Sequence, residues 1–60
     1  MSAIIRWFSG TTGAVIRERH LDIREYKLGA FAVEVVRLDG ERAVFKHPRG
    51  AVRVTVDVAL

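Results

Sequence analysis

Three side chains of this chain could together attack a carbonyl carbon: Ser9 as nucleophile, His20 as the base that takes its proton, and Asp22 as the carboxylate that orients the imidazole. In an extended strand His20 and Asp22 fall on one side, two residues apart. Nothing in the spacing brings Ser9 to them, and a serine next to Gly10 is what a tight turn asks for. His20 and His47 are the only side chains whose unperturbed titration lies near neutrality. With no cysteine in the chain, two distant histidines give no ligand pair at a metal-binding interval. The expectation is therefore a protein that is not an enzyme, with no catalytic residues, no cofactor and no metal.

Phosphate recognition is the next chemistry the residues suggest. Ten basic residues stand against seven acidic ones, a formal charge of +3, and a cationic surface releases counterions when it docks on nucleic acid. Eight of the ten bases are Arg, whose planar fork matches phosphate, although the same bias follows from a GC-rich genome. Arginines also neighbour aromatic rings, as in Arg6-Trp7 and Arg24-Glu25-Tyr26-Lys27, the pairing that binds backbone and base together. The candidate nucleic-acid contacts are Arg6, Arg17, Arg19, Arg24, Lys27, Lys46 and Arg53. The segment Gly10-Thr11-Thr12-Gly13 before Ala14-Val15-Ile16-Arg17 resembles the loop with which KH domains clamp single-stranded RNA. That resemblance covers about ten residues. The helix such a domain has before its loop is replaced here by the apolar, aromatic Ala3 to Phe8, so a simple strand-end turn accounts for the glycines.

Such side chains need a scaffold, and its size is the first constraint. Sixty residues form one domain, 1–60, which buries only about 60% of the surface its unfolded chain exposes. Trp7, Phe8, Tyr26, Phe31 and Phe45 must supply much of the core, because aromatics bury the most area per residue. No disulfide is available to staple it, which leaves oligomerisation as the common support. No apolar run is long enough for a signal peptide or a bilayer span. The expectation is a soluble, cytoplasmic protein of a cell or of an intracellular virus, with no membrane partner.

Periodicity points to strands. Val52, Val54, Val56 and Val58 alternate with Arg53, Thr55 and Asp57, the pattern of a strand with one buried and one wet face. Upstream, Phe31 to Val36 and Arg42 to Lys46 flank Asp39-Gly40, a strong hairpin signal. A three-residue loop over Leu38, Asp39 and Gly40, with Gly40 in the left-handed region, pairs Arg37 with Glu41 and Val33 with Phe45. Pro48 excludes a central strand, so His47 to Gly50 is the next turn. An even-numbered loop there sets Phe45 opposite Val52 and Ala43 opposite Val54. These three strands then form a C-terminal meander, its buried side built on Phe31, Val33, Val35, Phe45 and the four valines. Its exposed side carries Glu34, Arg42, Lys46, Arg53, Thr55 and Asp57, whose mixed signs suit cross-strand pairing.

Ala3 to Phe8 reads as a further strand and Ser9 to Gly13 as a turn. Residues 14–28 admit two readings. A helix packed on the sheet, giving an α+β fold, would have Thr12 as N-cap and Gly29 past its end. It places Leu21 and Leu28 on the wrong face and sets Glu18 against Asp22. As strand, the alternation through Leu21 and Ile23 changes phase before Tyr26 and Leu28, which a bulge near Arg24-Glu25 repairs. The fold class that follows is mainly β: a small five-stranded SH3-like or OB-like barrel, or an antiparallel sheet. Such a fold licenses no chemistry by itself. The function expected is a non-enzymatic protein-interaction or self-assembling module, regulatory or accessory in kind, with a protein partner or its own copy. The alternative is a basic nucleic-acid-binding barrel.

Overall fold

The computed structural model describes residues 1–60 and contains five strands and no helix, hence none long and apolar enough to cross a membrane. They are β1 (Ser2–Ser9), β2 (Val15–Leu28), β3 (Ala32–Arg37), β4 (Arg42–Lys46) and β5 (Ala51–Ala59). All pairings are antiparallel, in the order β4-β3-β2-β1-β5. Residues 14–28 are strand, and the helical alternative is not formed.

A straight strand as long as β2 would span roughly 45 Å, more than the longest dimension of the molecule, 36 Å. A bulge between Ile23 and Glu25 bends it. Before the bulge Leu21 and Ile23 face the core; beyond it Tyr26 and Leu28 share a face with Val35 and Val33, their cross-strand neighbours, but are 42% and 49% exposed, so Tyr26 does not join the core expected of it. The first half of β2 belongs with β1 and β5, the second half with β3 and β4. One strand thus serves two layers, and the short molecular dimension of 12 Å is close to the ~10 Å spacing of packed sheets.

The β3–β4 hairpin has the expected three-residue loop. Val33 pairs with Phe45 and Val35 with Ala43, the Arg37 N–H donates to the Glu41 carbonyl at 2.9 Å, and Gly40 has φ +87°. The next turn is where expected, with the Ala51 N–H on the Pro48 carbonyl at 3.1 Å. Its register is not. β5 does not pair with β4, so the C-terminal meander is corrected to a hairpin plus a strand that crosses to β1, setting Val54 opposite Trp7 and Val56 opposite Ile5.

The physical reason lies in the turn. His47 Nδ1 accepts the Trp7 indole N–H at 3.0 Å while its other ring nitrogen meets the Gly29 carbonyl at 2.9 Å. The Gly10 N–H also donates to the Gly50 carbonyl at 3.1 Å. The chain leaves β4 already tied to β1, whose apolar face offers the valines more surface than the short β4 does.

Because four residues, His47 to Gly50, join the two edge strands, the sheet must curl until its edges meet at that corner. No ladder laces β4 to β5 beyond it, so the sheet is not closed. The fully buried core is Ala3, Ile5, Trp7, Ile23, Val33 and Val35. Phe45 packs against it, whereas Phe31 and Val52, expected inside, are 85% and 74% exposed. Both lie at the corner where the strands end, beyond the cover of either layer.

The Trp7–His47 hydrogen bond can be weighed directly. His47→Ala leaves a buried indole N–H without its acceptor, a loss of about 1–3 kcal/mol, equivalent to a fall in thermal midpoint on the order of 10 °C in a domain this size. In a Trp7→Phe background the same replacement should cost less than half as much. Equal losses in both backgrounds, read by thermal unfolding, would show that the bond contributes nothing.

Candidate interaction surface

Cross-strand partners share a face of the pleat, so register places every candidate side chain. On the outer face of β1, Arg6 lies between Glu18 of β2 and Thr55 of β5. Its Nε donates to Glu18 Oε1 at 2.7 Å, and its Nη1 to Asp57 Oδ2 at 3.2 Å. His20 Nε2 meets the second Glu18 oxygen at 2.7 Å. Hydrogen bonding from His20, and then from Arg6, holds the Glu18 carboxyl below its ordinary value of 4.5. On the same face the Arg53 guanidinium lies 4.0 Å over the Phe8 ring, an exposed cation–π contact.

The remaining bases do not join this group. Arg17 and Arg19 oppose Trp7 and Ile5 and so belong to the other face of β2. Arg24 sits in the bulge, Lys27 opposite Glu34, and Lys46 opposite Ala32 at the end of β4. The seven bases named from the sequence are thus divided between two faces and two layers. The ion pairs are those of Arg6 with Glu18 and Asp57 and of His20 with Glu18. Of the charges expected to pair across the C-terminal strands, Asp57 pairs instead with Arg6 of β1, and Glu34, Arg42, Lys46 and Arg53 make no ion pair.

Ser9, His20 and Asp22 stay apart. The Ser9 hydroxyl accepts the Thr11 N–H at 3.1 Å within its own turn. His20 opposes Ile4, five residues along β1 from Ser9, a separation of roughly 17 Å. No three His, Cys, Asp or Glu side chains gather as metal ligands.

Two other features stand out once the strands are in place. The first is the end of the molecule where the Gly10, Gly29–Phe31 and His47–Gly50 segments meet. The exposed Phe31 lines an open cavity together with Lys27 and Glu34, and Lys46 pairs with the neighbouring Ala32. Sequence reasoning placed Phe31 in the core and so missed it here.

The second feature is unpaired edge. The chain makes 31 backbone hydrogen bonds, against about 40 for an average domain of its length. It exposes 4292 Å², where roughly 3,900 Å² is usual for its mass. Free edges run along β4, β5 and both halves of β2, the first on the side away from β1 and the second, beyond Ile23, on the side away from β3. Charge protects two of them: Arg17, Glu18, Arg19 and His20 stud β2, and Arg42 and Lys46 bracket the five-residue β4. β5 is different. It is nine residues long with only Arg53 and Asp57 charged, and Val52, Val58 and the following Leu60 are exposed.

The Glu18 contacts have a pH signature. A carboxyl whose native pKa is depressed contributes stability that is present above its unfolded value and lost as pH falls through the lower, native one. Thermal midpoints of wild type and Glu18→Gln should therefore differ near neutrality and converge in acid below pH 4.5. Curves that stay parallel throughout would remove the Arg6–Glu18–His20 network from the stability of the fold.

No protein-family model, curated protein or solved structure matches the chain.

Proposed function

We propose that the protein is a non-enzymatic interaction module that joins another protein chain by strand addition to an open edge of its sheet. The observation that carries this reading is the free β5 edge. Nine residues of edge strand, with the backbone groups of alternate residues unpaired and two charges to guard them, form the kind of template to which a further strand adds. The shortfall in backbone hydrogen bonds and the surplus of exposed surface support the same reading, since a partner would satisfy both. We read the curled sheet as a small SH3-like barrel left unlaced between β4 and β5, a shape that keeps those edges available.

Sedimentation velocity tests the proposal, because its nearest partner is its own copy. Between micromolar and sub-millimolar protein the sedimentation coefficient should rise above the monomer value, and Val58→Lys, a charge set into the β5 edge, should suppress the rise. A wild-type protein that stays strictly monomeric across that range and captures no extended peptide would sink the reading.

One observation favours a second reading, nucleic-acid binding at the loop end. Phe31 is exposed, with Lys27 lining the same cavity and Lys46 beside Ala32, an arrangement on which a base could stack while the two lysines hold phosphates against the opposing charge of Glu34. Binding of a labelled oligouridylate should then weaken with salt, with a logarithmic slope of about −1.4 for two contacts, and Phe31→Ala should weaken it about tenfold. Binding that ignores either salt or Phe31 would exclude that site.

A further inference from the structure

β5 reads Ala51-Val52-Arg53-Val54-Thr55-Val56-Asp57-Val58-Ala59. About Thr55 the order of chemical types is the same in both directions, except that charge changes sign: Ala mirrors Ala, Val mirrors Val, and Arg53 mirrors Asp57. This is the symmetry an antiparallel strand needs to pair with itself, because a two-fold axis through residue i sets i−n against i+n of the second copy. The axis must also keep paired side chains on one face of the pleat, and an axis through Thr55 does.

We infer that the chain pairs with a second copy of itself along β5, about a two-fold axis at Thr55, so that two five-stranded sheets become one continuous sheet. In this register Arg53 opposes the second copy's Asp57 twice over, Val54 opposes Val56, and Thr55 opposes Thr55. Each of these is a favourable cross-strand combination. The inference rests on the strand-addition reading and names its partner.

Charge disfavours several alternatives. An axis moved by one residue, to Val54 or Val56, sets Arg53 or Asp57 against Thr55 and loses both ion pairs. Self-pairing of β4 about Val44 opposes Arg42 to Lys46. Self-pairing of the free half of β2 about Glu18 or Arg19 opposes that charge to itself. Pairing β4 with another copy's β5 so that Arg42 meets Asp57 brings Lys46 against Arg53. The last three set like charges directly opposite one another, which is destabilising.

The rest of the structure accommodates the β5 register. Arg53 and Asp57 lie on the outer face with Arg6 and Phe8, so the second copy's Arg53 arrives beside an Asp57 that already holds Arg6 at 3.2 Å. A register shift between Phe8 and Ser9 leaves Val52 as an unpaired bulge residue in β5. The bulge limits the regular ladder to Arg53–Asp57 and its mirror, and it stops further strands from adding in line.

Charge exchange is the test, read by sedimentation and by circular dichroism for folding. Arg53→Asp places two like pairs in the interface and should weaken association about tenfold or more; Asp57→Arg should do the same. The double variant Arg53→Asp/Asp57→Arg restores opposite pairing and should recover the dimer. Arg6, opposite Thr55, is equally near positions 53 and 57 in register and keeps a carboxylate within reach. Thr55→Cys, in a chain with no other cysteine, should form an intermolecular disulfide on mild oxidation. A wild-type dimer indifferent to both single reversals, or one whose double variant stays dissociated, overturns this register while leaving strand addition standing. A Thr55→Cys dimer that does not cross-link counts against it likewise. A monomeric wild type overturns the self-pairing, and only one that also captures no extended peptide takes strand addition down with it.

Discussion

The hydrogen bond between the Trp7 indole and His47 is the constraint on which this small fold turns. Trp7 is the only large aromatic side chain fully buried, and an indole N–H cannot enter a core this thin without an acceptor. His47 supplies it from the β4–β5 turn, and in reaching back to the Gly29 carbonyl it fixes the β2–β3 connection too. A single imidazole thereby decides where two loops go. It also decides that β5 runs along β1 and not along β4, and from that pairing come the open seam and the free edge. No buried side-chain nitrogen or oxygen is left without a partner, so polar satisfaction is complete at a centre where apolar burial is scant.

Much of the architecture was legible from local rules. Gly40 in the left-handed region, the opposition of Val33 and Phe45, and the bulge at Arg24 follow from the demand that apolar side chains share a face, and a phase slip in the alternation locates the bulge near Arg24-Glu25. Strand order was not legible. Whether β5 returns to β4 or crosses to β1 depends on a contact forty positions apart in the chain, between Trp7 and His47, and alternation in Val52 to Val58 fits either neighbour equally well. Phe31 and Val52 went astray for the same reason: pattern names a face but not how far the opposing layer extends over it.

The candidate site was legible only in part. Arg6 was named from the sequence as a phosphate contact, yet two carboxylates from different strands already engage it, and those distances depend on register. The grouping of Phe31 with Lys27 and Glu34 likewise depends on the β2–β3 pairing. The free β5 edge emerges only from the sheet order, which is what allows its guards to be compared with those of β2 and β4.

β1 takes one neighbour from the next strand and the other from β5, Asp22 and Ala59 both lying beside Ser2. Loops of such span are slow to close. During synthesis the first strand, with Trp7 on it, emerges early and must wait for His47 and the valines that will shelter it. The exposed face it presents meanwhile is the interval in which a nascent chain of this kind is most open to capture by chaperones.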